Sequence, residues 1–142
     1  MPDPERFEYT AESLQTGEVA LLPHLPLVLT YKNQSVEAAG LLDTGATVNV
    51  LPYRLGLRLA AQWDPESPAI TLTGNLAQFD ARPIIVVGSV GKFPSVRLAF
   101  AWTRSEDVPL ILGQVNFFME FDVCFYRSHR AFDVRPKGQA LT

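Results

Sequence analysis

The chain has 142 residues, of which 47% are hydrophobic and 19% charged, and a net charge of -3. A chain of this size buries roughly two-thirds of its unfolded surface, and the composition excludes a disordered or supercharged polymer, so one domain spanning 1–142 is expected. Lysines and arginines are scattered rather than gathered into a basic stripe, which excludes a phosphate-reading surface and with it nucleic acid as a partner.

The residues up to Glu18 are polar and acidic, an N-terminal arm without the basic-then-apolar order of a signal peptide, so the cytoplasm is the expected compartment. Val19 to Tyr31 is the longest apolar stretch, but Pro23, His24 and Pro26 interrupt it and it is too short for a bilayer of about 30 Å. No membrane contact is expected. Short apolar runs punctuated by proline and glycine, with few windows holding a helical period, predict a mainly β protein.

Leu27 to Tyr31 and Val36 to Leu42 flank the polar turn Lys32-Asn33-Gln34-Ser35 and predict a hairpin that delivers Asp43 at its end. Thr47 to Leu51 reads as a further strand. Pro52 to Ala61 reads as a short helix started by its proline, with Gly56 as the discordant residue. Ile70 to Leu72 and Gln78 to Asp80 bracket Thr73-Gly74-Asn75 and predict a second hairpin. Pro83 to Val87 and Val96 to Trp102 are strands joined through Gly88 and Gly91. Gln114 to Phe121 is expected to form one or two helical turns with Val115, Phe118 and Met119 inward. Val123 to Tyr126 and Ala131 to Val134 make a closing hairpin, and the tail from Pro136 to Thr142 is expected to be mobile. Phe117, Phe118, Phe121, Phe125 and Phe132 are assigned to the core.

The lone cysteine, Cys124, excludes an internal disulfide framework and is read as a small buried side chain on a strand. His24 and His129 lie far apart without an acid or cysteine at ligand spacing, so neither a metal nor any other cofactor is expected. Asp122 and Asp133 are read as solvated strand-end residues.

The chemistry concentrates in Leu41-Leu42-Asp43-Thr44-Gly45-Ala46, an apolar strand running into an acid, a hydroxyl and a glycine. A carboxylate at the end of a hydrophobic strand is costly unless it is hydrogen-bonded, which makes its placement a functional hint. Gly45 lets the backbone approach and offer an N–H. The bland alternative is a strand-to-turn corner with Asp43 capping its own loop. Downstream, Pro109-Leu110-Ile111-Leu112-Gly113 is another apolar strand ending in glycine before a short helix.

Taken together, Pro26 to Pro52 and Val108 to Val134 resemble the aspartic peptidases, both the single-lobe retroviral peptidases and the separate lobes of pepsin. The resemblance runs from about Leu25 to Val134. It implies a retropepsin-like closed β-barrel with one or two short helices and an aspartic endopeptidase activity. Asp43 would be the catalytic aspartate, Thr44 would make a hydroxyl-to-backbone grip between lobes, and Gly45 would contact substrate backbone. Leu112 and Gly113 would support the Asp43 loop, and Ala46, Leu72, Thr73, Gly74 and Asn75 would bind an extended peptide or protein substrate. Ile70, Leu76 and Ile84 are further candidates for apolar lining.

The reaction needs two carboxylates sharing a proton, and this chain has a single Asp-Thr-Gly, so a homodimer is implied. Two departures stand out. The stretch matching the family's glycine-rich flap, Ile70 to Phe79, is short with one glycine, and Thr47 and Gln114 occupy positions where retroviral members carry an acid and an arginine. A neutral pair there leaves no uncompensated buried charge. The competing reading is a peptide-binding or dimerisation module with this fold and little turnover.

Overall fold

A computed structural model describes residues 3–138. In chain order the elements are β1 (Glu5–Glu8), β2 (Thr10–Ser13), β3 (Val19–Leu22), β4 (His24–Tyr31), β5 (Gln34–Leu42), β6 (Asn49–Leu51), α1 (Tyr53–Arg58), β7 (Ala81–Ser89), β8 (Val96–Thr103), β9 (Ile111–Leu112), α2 (Phe117–Glu120), β10 (Phe121–Tyr126) and β11 (Ala131–Pro136). Six of them close into a barrel in the order β4-β5-β9-β6-β8-β7. The two-residue period of a strand decides what enters it. Leu25, Leu27 and Leu29 on β4 are buried, as are Val36 and Leu42 on β5 and Leu98 and Phe100 on β8, while Pro26, Glu37 and Ala39 between them face solvent. Each such aliphatic or aromatic side chain contributes about 1.5–3 kcal/mol on burial.

The first predicted hairpin is present but tighter than expected. Its turn is Lys32-Asn33, with Lys32 in the left-handed region at φ 53. Gln34 and Ser35 join β5 instead, opposite Tyr31 and Thr30, and the Thr30 and Ser35 hydroxyls lie 2.8 Å apart across the strands. The strand expected from Thr47 shortens to Asn49–Leu51, with Val48 making a single bridge to Val115. The expected helix is present over Tyr53–Arg58, capped rather than started by Pro52. Gly56 has a packing reason: the Trp102 indole lies where a Cβ would stand.

The second predicted hairpin does not form. Residues 70–72 and 78–80 carry no strand, and Gly74–Leu76 is a 3-10 turn closed by local bonds from Leu76 N–H to Thr73 O and from Ala77 N–H to Gly74 O. Thr71, Thr73, Gly74, Ala77 and Gln78 are exposed, while Leu72 is buried and Ile70, Leu76 and Phe79 pack with it against Val50, Ala101 and Ile111, so local turns cover the segment's apolar residues on the barrel without strand pairing. The β7 and β8 strands are present and longer than expected, in register from Ala81 opposite Thr103 to Gly88 opposite Val96.

After β9 the helix is a single turn, and its inward residues are Phe117 and the following Phe121, stacked at 4.8 Å. Val115 and Met119, expected inward, are 50% and 60% exposed. The expectation assumed a helix starting at Gln114, whereas extended backbone through Val115, bridged to Val48, rotates the face.

The closing hairpin forms as β10 and β11, and β1 adds to its far side to give the sheet β1-β11-β10. The N-terminal arm is thus structured: Phe7 stacks on Phe132 at 5.5 Å, and β2 pairs with β3. Cys124 and Phe125 are on a strand but exposed, because β10 is the edge of this sheet and only its start reaches the core. Asp122 and Asp133 lie on this hairpin near arginines: Asp122 is 3.7 Å from Arg135, and Arg6 donates to Asp133 at 2.7 Å. The expected mobile tail falls largely outside the described residues. Its first residue, Pro136, ends β11, and Lys137 N–H donates to Glu120 O.

Candidate functional site

Asp43 leaves the barrel wall at the end of β5. Its backbone N–H donates to Leu112 O at 3.0 Å, continuing the parallel ladder in which Leu41 faces Ile111 and Leu42 faces Leu112. The chain then turns, with Ala46 N–H donating to Asp43 O at 3.1 Å, and the turn folds Gly45 N–H onto the half-buried carboxylate at 2.9 Å. A bond from an N–H to an ionised oxygen is about twice as strong as a neutral one and fixes the carboxylate's orientation. Among the described residues no cation lies within ion-pair distance of it.

The segment after β9 secures the loop from behind. Gln114 and Val115 N–H groups donate to Ala46 O and Thr47 O at 2.9 and 3.0 Å, and the Gln114 side chain donates to Thr44 O at 2.7 Å. This approach requires Gly113, since a Cβ there would stand 2.5 Å from Val48 O and 2.8 Å from Ala46 O. The neutral Thr47 and Gln114 therefore hold the loop through hydrogen bonds, not an ion pair. Leu112 is fully buried and packs against Gly40 of β5.

Two asparagines that the sequence reading passed over tie these pieces together. Asn49 is completely buried. Its Oδ1 accepts from Gly113 N–H at 2.8 Å and Phe117 N–H at 3.4 Å, and its Nδ2 donates to Ala99 O at 3.0 Å and Asn116 Oδ1 at 3.1 Å. The Asn116 side chain accepts from Ala99 N–H at 2.9 Å and donates to Arg97 O at 2.8 Å. A buried amide with both ends satisfied is a rigid staple, here joining β6, β8 and the turn after β9. The available signal was Asn49 itself, a polar residue inside the apolar run Val48 to Leu51.

Asp43 opens onto a cleft of about 230 Å³. It is lined by Gly45, Ala46, Thr47 and Val48 of the loop after Asp43, by Leu72, Thr73, Gly74 and Leu76 of the segment before β7, and by Val50 and Ile111 of β6 and β9. Ala46, Leu72, Thr73 and Gly74 thus line the same cleft as Asp43, while the side chain of Asn75 lies outside the described residues. Thr44 is exposed on the loop and outside the cleft wall. Ile70 and Ile84 do not line this cleft. They face a neighbouring apolar pocket of about 120 Å³ that shares Val48 with it. His24 sits on β4 beside Thr10 and Glu12, and His129 in the β10–β11 connection.

No protein family's sequence profile matches the chain, and no curated protein matches it in sequence. Among solved structures, the crystal structure of a retropepsin-like aspartic protease from Rickettsia conorii superposes with a TM-score of 0.60, covering 94% of this chain and 99% of that one at 14% sequence identity. No helix among the described residues is long and apolar enough to cross a membrane. Likeness at this identity speaks for architecture alone, and the architecture of this chain is a mainly β, retropepsin-like closed barrel with two short helices.

Proposed function

We propose that this protein is an aspartic endopeptidase that works as a homodimer, each copy contributing Asp43 to one catalytic pair. The observation that carries the reading is the Asp43 carboxylate, oriented by Gly45 N–H just past the end of β5 and opening onto the cleft. Like charges in contact cannot both ionise, so two such carboxylates on a two-fold axis hold one proton between them. The ionised one takes a proton from water as the oxygen attacks the scissile carbonyl carbon, and the protonated one donates to the carbonyl oxygen. Collapse of the tetrahedral species breaks the C–N bond and returns a proton to the leaving amine. Gly45, Ala46, Leu72, Thr73, Gly74 and Asn75 would contact an extended peptide, Thr44 would grip the second copy, and Leu112 and Gly113 would support the loop. No cofactor takes part.

The test is Asp43→Asn. Hydrolysis of a susceptible peptide should disappear while the unfolding midpoint stays level or rises, and a variant keeping most of the wild-type rate would refute the assignment. One observation favours a second reading, a peptide-binding or dimerisation module: residues 70–80 carry no strand pair, and their one regular piece is the 3-10 turn Gly74–Leu76. A statine-type inhibitor separates the two, since its hydroxyl takes the place of the attacking water. The enzyme binds it more tightly than a plain peptide of the same side chains and loses that preference in Asp43→Ala, whereas a module binds both alike.

A further inference from the structure

On the barrel wall away from Asp43, β5 has an edge that is unpaired among the described residues. Leu42 N–H points to β4, donating to Pro23 O, whereas Leu41 and Asp43 N–H point the other way, to Leu110 O and Leu112 O. Successive residues of a strand alternate in this direction. Ser35, Glu37 and Ala39 therefore turn their N–H and C=O groups away from β4, toward the β9 side. Among the described residues the only partner on that side is β9, and its ladder with β5 covers Leu41 and Leu42 alone. β9 begins only at Ile111, so it does not continue the ladder alongside Ser35 to Ala39.

The unpaired edge borders a groove of about 430 Å³ between β5 and α1, in which Glu37, Ala38 and Ala39 face Leu55, Val108 and Leu110. Its charged lining is Glu12, Glu37, Glu106 and Asp107 against Arg54 and Arg58, with His24 beside Glu12. Arg54 is engaged with Glu106 O at 3.2 Å. The groove thus presents free backbone donors and acceptors in a strand spacing, a mainly polar lining and an excess of carboxylates. Exposed edges of this kind are templates for an added strand.

We propose that this edge of β5 is a docking site for an extended basic peptide segment of a partner protein, which adds as a strand beside Ser35–Ala39 and places a lysine or arginine opposite Glu37. Backbone bonds to Glu37 and Ala39 supply attachment, and the carboxylates select positive charge. This site is separate from the Asp43 cleft and does not depend on the activity proposed above.

The experiment uses the full chain carrying Asp43→Asn, so that the probe is not cut, with an amidated ten-residue peptide alternating lysine and valine. Amide hydrogen exchange read by NMR should show Ser35, Glu37 and Ala39 exchanging quickly in the free protein while Val36, Ala38 and Gly40 are slow. The peptide should slow the first three. A peptide with glutamate for lysine, or one N-methylated at alternate residues so that the edge facing β5 lacks N–H donors, should leave them fast. Glu37→Lys, a surface change that spares the fold, should weaken the lysine peptide roughly two- to tenfold, as expected for reversing one cross-strand charge pair. Protection confined to residues 45–48 and 72–76, or no protection at millimolar peptide, overturns the proposal. So does protection of Ser35, Glu37 and Ala39 that grows with protein concentration alone, which would assign the edge to a second copy.

Discussion

Replacing Asn49 by alanine tests whether this buried amide holds the site together. Removing the side chain strands Gly113 N–H, whose 2.8 Å bond is buried, and the more weakly bound Phe117 N–H. It also takes one donor each from Ala99 O and Asn116 Oδ1, although Asn116 Oδ1 keeps Ala99 N–H. A buried group left without a partner costs about 1–3 kcal/mol. Counting Gly113 N–H in full, Phe117 N–H in part and a small cavity, the variant should lose about 3–5 kcal/mol, a large share of the roughly 5–15 kcal/mol typical of a domain. In urea, followed by the fluorescence of Trp63 and Trp102, the midpoint should fall by roughly 2 M at an ordinary slope. Asn49→Asp sharpens the point: it keeps an acceptor for Gly113 N–H but sets carboxylate oxygens against Ala99 O and Asn116 Oδ1, so it should destabilise at least as much. A loss below about 1 kcal/mol for Asn49→Ala would refute the staple.

Gly113→Ala should destabilise by about 1–3 kcal/mol or more, because the new methyl meets the backbone oxygens of Val48 and Ala46, which cannot swing aside; a near-neutral unfolding midpoint would contradict the tight crossing behind Asp43. Specific activity should fall on dilution, since one chain holds half of the proposed pair, and a flat profile far below the dimer dissociation constant would count against a shared site. The rate of hydrolysis should follow a bell in pH on the acidic side of neutrality, one limb for each proton state of the pair, and a single sigmoid would contradict it. Hydrogen bonding from Arg6, reinforced by its charge, holds the Asp133 carboxyl below the usual carboxylate range. That stabilisation is present above the ordinary value near pH 4 and is lost as pH falls through the lower folded-state value, so Asp133→Asn should flatten the fall in Tm below about pH 4.

The local order of this protein is written in its sequence. Alternation places Leu25, Leu27 and Leu29 inside the barrel, and the two apolar strands ending at Asp43 and Gly113 are visible as runs closed by small residues, because strand burial depends on neighbours two positions apart. The same signal was present in Arg6-Phe7-Glu8-Tyr9, where alternation anticipates β1, but the charged surroundings hid it until Phe132 supplied the partner ring. What depends on distant segments was not legible. Nothing near Ile70 or Gln78 announces that local turns win over a hairpin, since the outcome depends on Ile70, Leu72, Leu76 and Phe79 packing against Val50, Ala101 and Ile111 from distant parts of the chain. The exposure of Cys124 and Phe125 follows from β10 lying at a sheet edge, and Asn49 becomes a staple only because Ala99, Gly113 and Asn116 converge on it from the rest of the fold. The sequence determined where a carboxylate ends an apolar strand; tertiary structure decided which groups hold it there, because hydrogen-bond partners more than sixty residues apart, such as Asn49 and Gly113, meet only when the barrel closes.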